Sequence, residues 1–350
     1  MAERELTKFD LPFWLRDQLQ PIGTDAGYAF GVFFASKAKG GIVPSTGEDE
    51  ANVMKVGPPI GDTIPGLMTA LGLRVLSSVL FVPIFLLLAR AGGMAWLGFV
   101  GLQTFLGLEE FFRMARGKAL SPVRGLGFAA GLALVGWAYR PQTPYASLLA
   151  TATLLLLLGW SLRRAGQPRI LEGAAVTVFG ILYVGGLSAH FVLLRELPWQ
   201  AGLAYADGAS LVTYTFLVTW LCDTGAYLAG RTFGRTRPWA HISPRKTLEG
   251  SIGGFVFAVL TSYVASRTFL HAQGGGPLLT GVHPWLLGAL IGVFGQVGDL
   301  VESLFKRDAA SGDSSDLIPG HGGVLDRFDS LYFAAPIVYH YLRAVILQVP

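Results

Sequence analysis

What this chain can become is limited first by stretches such as "ASLLATATLLLLLGWSL" (Ala146–Leu162), which carries no charge, and by the recurrence of such stretches. In lipid a backbone finds no water to bond, so a lone segment must satisfy its own N–H and C=O groups as a helix. Crossing the hydrocarbon takes roughly 20 mainly apolar residues. Segments of about that length recur at 74–90, 94–112, 125–139, 145–162, 172–194, 208–230, 249–269, 284–305 and 328–349. They predict an all-α integral membrane protein with about nine transmembrane helices. Only 14% of residues are charged, against about 25% in soluble domains, and mean hydropathy is +0.49.

The basic residues then predict orientation. Arg113, Arg116, Lys118, Arg124, Arg163, Arg164, Arg169, Arg231, Arg235, Arg237, Arg245, Lys246, Lys306, Arg307 and Arg327 fall in one alternate set of connections. The other set holds Arg90, Arg140, Arg195 and Arg267. Positive loops stay cytoplasmic, so the N-terminus and the loops after the sixth and eighth spans are expected inside. Residues 1–70 read as an extension lying on the membrane surface or poorly ordered, residues 71–205 as about five helices, and residues 206–350 as about four helices with cytoplasmic loops. "MAERELTKFDLPFWLRDQ" lacks an uninterrupted apolar core, so no cleavable signal is expected. The single cysteine, Cys222, excludes an internal disulfide, and a net charge of +4 argues against nucleic acid as a partner. Glycines such as those in "GALIGVFGQVG" (Gly288–Gly298) let helices approach closely. They permit a homodimer without specifying one.

Charge inside a span is costly and marks function by default. Glu109 and Glu110, at one end of the second span, read as snorkelling or capping groups, and His190 as a packing residue. The last third of the chain differs. Asp223 lies within "LVTWLCDTGAYLAG", and Asp299 and Glu302 lie within "GVFGQVGDLVESLFKR", all near the cytoplasmic ends of their spans. The spacing of Asp299, Glu302, Ser303 and Lys306 puts them on one helix face. Asp326 and Asp329 share a face where the ninth span begins. Asp223, Asp299, Asp326 and Asp329 are therefore expected to point into one cavity. Carboxylates crowded in low dielectric require compensation, and an all-oxygen set suits Mg²⁺ or Mn²⁺ rather than zinc.

Anion-binding features accompany them. In "HISPRKTLEGSIGG", Pro244 marks a helix start, which makes Ser243 the expected N-cap of the seventh span. A helix N-terminus suits phosphate. Lys246 is expected in its first turn, with Arg245 alongside and Lys306 and Arg307 opposite. "PGHGG" (Pro319–Gly323) is a glycine-rich turn that a ligand can approach closely, and no GxxxxGK[ST] phosphate loop occurs. Together these features suggest a soluble phosphate donor meeting a membrane-dissolved acceptor.

"SLFKRDAASGDSSDLIPGHGGVLDRFDS" (Ser303–Ser330) resembles the signature of phosphatidate cytidylyltransferases, also called CDP-diacylglycerol synthases. "CDTGAYLAGRTFGRT" and "ISPRKTLEGSIGG" are similar to the two motifs that precede it in that family, and the likeness covers about residues 66–350. One position departs: Gly312 stands before Asp313 where the family usually has lysine. The resemblance implies Mg²⁺-dependent transfer of CMP from CTP to phosphatidate, with a second cation allowed for. It implies metal binding by Asp223, Asp299 and Asp326, and phosphate neutralisation by Lys246, Lys306 and Arg327. Ser243, Arg245, Thr247, Ser303 and Arg307 are expected around the substrates, His321, Gly322 and Gly323 on the nucleotide side, and Asp329 orienting Arg327 or a second cation. The expected partners are CTP, phosphatidate and membrane lipids, and the expected location is the cell (inner) membrane with the site facing the cytoplasm. Two other readings are a CTP-dependent kinase of polyprenol-type lipids and a secondary transporter. Transport is disfavoured because the carboxylates gather at one end and no inverted repeat is evident.

Overall fold

A computed structural model describes residues 81–141, 145–272, 276–309 and 323–349. The amino-terminal extension, His321 and Gly322 lie outside the described residues, as does Gly312. The described residues are helical throughout, apart from connecting turns and an isolated bridge between His271 and Pro277. In chain order the helices are α1 (Phe81–Ala91), α2 (Gly93–Gly117), α3 (Arg124–Ala138), α4 (Tyr145–Leu162), α5 (Ile170–Gly180), α6 (Leu187–Gln200), α7 (Asp207–Phe233), α8 (Leu248–Thr268), α9 (His283–Asp308) and α10 (Leu325–Tyr341). A π-helical turn, Ile181–Gly186, joins α5 to α6, and a second one, Leu342–Ile346, continues α10.

Among the described residues, four segments are long and apolar enough to cross a membrane: α4, the continuous stretch Ile170–Gln200, α8 and α9. The others are shorter or more polar. α4 gives the clearest case, because Leu157 is its one buried residue while Leu154, Leu155, Leu156 and Leu158 are all exposed. A helix apolar all round has no favourable place in water. Lipid is the solvent that suits it.

The interior is aromatic where the two halves of the chain meet. Phe85 of α1 lies 4.3 Å from Phe216 of α7 between ring centroids, and Phe191 of α6 lies 5.8 Å from Phe328 of α10. Trp96 Nε1 donates to the Phe191 carbonyl at 3.0 Å, so its buried indole is satisfied. Arg195 is wholly buried yet fully engaged. It donates to the carbonyls of Ala89 (2.7 Å), Arg90 (3.3 Å) and Tyr205 (2.9 Å). A cation at the C-terminal end of α1 meets both its orphan carbonyls and its dipole.

Small residues bring the last four helices together. A Cβ on Gly254 would sit 2.8 Å from the Cys222 carbonyl of α7, and one on Gly288 would sit 2.8 Å from Val259 Cα of α8. The glycine face of α9 is therefore used inside the chain, against α8. Tyr214 and Ser262 share a hydrogen bond of 2.6 Å, and Ser262 Oγ reaches the Pro284 carbonyl at 2.5 Å, tying α7, α8 and α9 at one end. At the other end, Gly298 faces the Asp329 backbone so closely that a Cβ would overlap its carbonyl.

The N-cap expectation needs correction. α8 begins at Leu248, and its N-cap is Thr247, whose Oγ1 accepts the Gly250 N–H at 3.1 Å. Ser243 opens a turn instead, with its carbonyl accepting the Lys246 N–H at 3.2 Å. Proline suits the second position of such a turn as well as the first position of a helix. Pro244 takes the turn, and the helix starts four residues later.

Candidate active site

The end of α9, the start of α10, the middle of α7 and the entry to α8 converge on one acidic cluster. α9 supplies Asp299 and Glu302 one turn apart, and α10 supplies Asp329. One carboxylate oxygen from each of these three lies within 4.8 Å of the others. Glu302 is 2% exposed and Asp329 8%. Asp223 of α7 is exposed in the chain by itself and lies within electrostatic reach of Asp299 and Lys246. Asp329 feels the charges of Asp299, Glu302 and Asp223.

Two lysines partly balance these charges. Lys306 Nζ bridges Glu302 Oε2 and Asp326 Oδ1, 2.7 Å from each. Lys246 Nζ lies 2.7 Å from Asp299 Oδ2 and makes no aligned hydrogen bond among the described residues. The predicted ligand Asp326 is thus bound up with Lys306, and its Oδ2 also accepts the Gly323 N–H at 2.7 Å. Asp299 keeps company with Glu302 and Asp329. Glu302 stood out in the sequence as a costly charge but not as a ligand; its helical spacing from Asp299 was the available signal.

The other expected residues separate into neighbours and outliers. Thr247 is buried as the N-cap of α8, and Ser303 is half-buried next to Glu302. Gly323 is buried at the entry to α10. Ser243 is half-buried and Arg245 exposed in the turn before α8. Arg307 Nε donates to the Ile242 carbonyl at 3.2 Å, pinning that turn to the end of α9. Arg327 is exposed in the first turn of α10. Glu249 holds the far side of the same loop, its carboxylate accepting the N–H groups of Arg235 (3.0 Å) and Thr236 (3.1 Å).

Glu110 of α2 is 1% exposed, and its two carboxylate oxygens accept the N–H groups of Val324 (3.0 Å) and Leu325 (2.8 Å). A capping role fits the sequence expectation, but the helix capped is α10, more than two hundred residues away. Its neighbour Glu109 turns outward to Arg124 and Arg116. Adjacent helical residues point about 100° apart, so only one of the pair can reach the interior.

An oxygen-only cluster suits a hard divalent cation. The Glu302 oxygens meet the Lys306 ammonium and the neighbouring Asp326 carboxylate, and no backbone N–H reaches them among the described residues. Buried carboxylates with so few donors are expensive, and a cation held by Asp299, Glu302 and Asp329 would relieve both that cost and their mutual repulsion. The donor set fits Mg²⁺ by its chemistry.

The chain is similar to known proteins over most of its length. The model of the cytidylyltransferase family matches residues 72–345. A phosphatidate cytidylyltransferase of Synechocystis sp. is 32% identical over 303 residues, covering 79% of this chain and 97% of that protein. A protein of the same name from Staphylococcus aureus (strain COL) is 33% identical over 271 residues, covering 76% and 96%. Another, from Staphylococcus saprophyticus, is 33% identical over 286 residues, covering 79% and 99%.

Proposed function

The chain belongs to the cytidylyltransferase family, and from that premise we propose that it transfers CMP from CTP to phosphatidate at the cytosolic edge of a membrane. The products are CDP-diacylglycerol and pyrophosphate, and the role is phospholipid biosynthesis. The observation that carries this reading is the cluster of Asp299, Glu302 and Asp329, flanked by Lys246 and Lys306, at one end of apolar helices. Relatives named phosphatidate cytidylyltransferase, aligned over most of both chains, support the choice of substrates.

In this reaction a phosphate oxygen of phosphatidate forms a bond to the α-phosphorus of CTP. The bond from that phosphorus to the bridging oxygen of the β-phosphate breaks, and pyrophosphate leaves with the electron pair. The nucleophile arrives already charged, so no serine or cysteine attacker is needed. The task left to the protein is to hold two polyanions in line and offset their charge. Asp299, Glu302 and Asp329, with Asp223 beside them, would hold Mg²⁺. When bound, that ion supplies neutralising charge to the phosphoryl oxygens. Lys246 and Lys306 neutralise phosphate from the protein side, and Arg327 stands exposed on the same helix turn as Asp326. Asp326 orients Lys306. Arg245, Thr247, Ser303 and Gly323 border the phosphates, and Arg307 steadies the turn that contains Ser243.

The reading includes an arrangement of about nine spans with the N-terminus in the cytosol of the cell's (inner) membrane. α5, the π turn and α6 form one of these spans. The basic connections then share the side that carries the lysines, which suits a water-soluble nucleotide.

The test incubates purified protein with radiolabelled CTP, phosphatidate and Mg²⁺, and in parallel with a polyprenol in place of phosphatidate. Label in the lipid fraction with release of pyrophosphate is the expected result. Release of CDP with phosphorylation of a polyprenol would favour the kinase reading instead. Absence of any labelled lipid would end the proposal.

A further inference from the structure

The residue in question is Tyr183, in the π turn between α5 and α6, which none of the motifs contains. Its ring is locked by aromatic neighbours from four helices. It stacks on Phe179 at 5.5 Å and 12°, and meets Phe305 edge-on at 5.5 Å and 89°. Tyr332 lies 5.8 Å away and Phe111 6.1 Å. The ring is therefore fixed by packing alone.

The hydroxyl is another matter. It is buried with no hydrogen-bond partner among the described residues. Two of the rings packed on Tyr183, Phe305 and Tyr332, stand one helical turn from Glu302 and Asp329, which sets the tyrosine beside the acidic cluster. Burying an O–H donor unpaired costs about 1–3 kcal/mol, and phenylalanine fills the same space without that cost. The turn itself points the same way. Widening one turn of a helix shifts the side chains in it, and such π turns occur often at functional sites. Here the turn sits where Gly185 meets Gly131 of α3, and a Cβ on Gly185 would lie 2.7 Å from Gly131 Cα. The backbone is held against α3 while Tyr183 is directed to the end of α9.

We propose that the Tyr183 hydroxyl is a further hydrogen-bond donor of the active site, reaching a phosphoryl oxygen of a substrate that Lys306 neutralises beside Glu302 and Asp329. This deepens the proposed reaction and rests on it for the identity of the substrates. The phosphoryl oxygen belongs either to phosphatidate or to the nucleotide.

Tyr183→Phe removes one oxygen and leaves the ring, so a packing role and a donor role predict opposite behaviour. The experiment compares melting temperature, kcat and the two KM values of the purified wild-type protein and the variant. It also measures the melting shift that CTP with Mg²⁺, and separately phosphatidate, produces in each. The expected variant melts at the same or a higher temperature, turns over roughly tenfold to a hundredfold more slowly, and loses most of one ligand-induced shift. A raised KM for phosphatidate with a lost lipid shift assigns the oxygen to the lipid; the corresponding pair of changes for CTP assigns it to the nucleotide. Unchanged kinetics with unchanged shifts overturns the proposal, as does a variant whose melting point falls in step with its activity. Should wild-type protein form no CDP-lipid, the reaction fails, while the ligand-induced shifts still decide whether Tyr183 contacts a bound phosphate.

Discussion

Glu110 and Glu196 in the amino-terminal helices are as withdrawn from water as Glu302 and Asp329 in the carboxy-terminal ones. The first pair is provided with donors. Glu110 accepts two backbone N–H groups, and Glu196 accepts the Tyr205 hydroxyl at 2.8 Å. The second pair faces other carboxylates. Asp329 accepts one backbone N–H, from Ser330 at 2.6 Å, and Glu302 relies on an ion pair with Lys306. A buried charge met by donors ties helices together, whereas buried charges aimed at each other call for something from outside the chain. On the proposed reading, Glu110 and Glu196 serve as scaffold and Glu302 and Asp329 as chemistry.

The sharpest attack on that division is Asp299→Asn. Loss of one carboxylate from the cluster should lower turnover roughly a hundredfold or more, with the protein still recoverable and folded in detergent. Full activity would dissolve the distinction at once. Gly298→Ala follows in size. Its methyl group meets the Asp329 carbonyl, so α9 and α10 must part and their carboxylates with them. Overpacking of this kind costs about 1–3 kcal/mol, and turnover should drop about tenfold; equal activity and an unchanged melting point would show that the contact is slack.

Glu110→Gln tests the scaffold side. The amide keeps one acceptor and sets its NH₂ against a backbone N–H, for a cost of about 1–3 kcal/mol. We expect a lower melting point and a severalfold fall in kcat, with the half-saturating Mg²⁺ concentration unchanged because Glu110 is no ligand. A shifted Mg²⁺ requirement would place it with the reactive carboxylates instead. The smallest effect separates two hydroxyls. Thr247→Ala should cost about 1 kcal/mol by removing the cap of α8, while Ser243→Ala should leave the melting point in place; the reverse order would restore Ser243 as the cap.

The helices were largely legible because their apolar runs leave the backbone no other way to satisfy itself in lipid. Expected and observed segments coincide closely at α4, where 145–162 is matched by Tyr145–Leu162. The acidic stripe on α9 was legible too, since helical spacing alone sets Asp299, Glu302 and Lys306 on one face. Pro244 misled because a turn and a helix start welcome proline equally. Glu110 could be read as a capping group, yet nothing local says that it caps α10.

Periodicity and the cost of burying charge are properties of neighbouring residues, so the amino-acid order alone determined an all-helical chain with apolar, membrane-length segments and carboxylates near one end of the last ones. Which carboxylates meet, that Lys306 binds Asp326 while Asp299 joins Glu302 and Asp329, and that Tyr183 packs on Phe305 and Tyr332 one turn from them were decided by tertiary structure. Those choices depend on how closely Gly298, Gly288 and Gly254 let helices from distant parts of the chain approach. A distance between two helices is written in no single stretch of sequence.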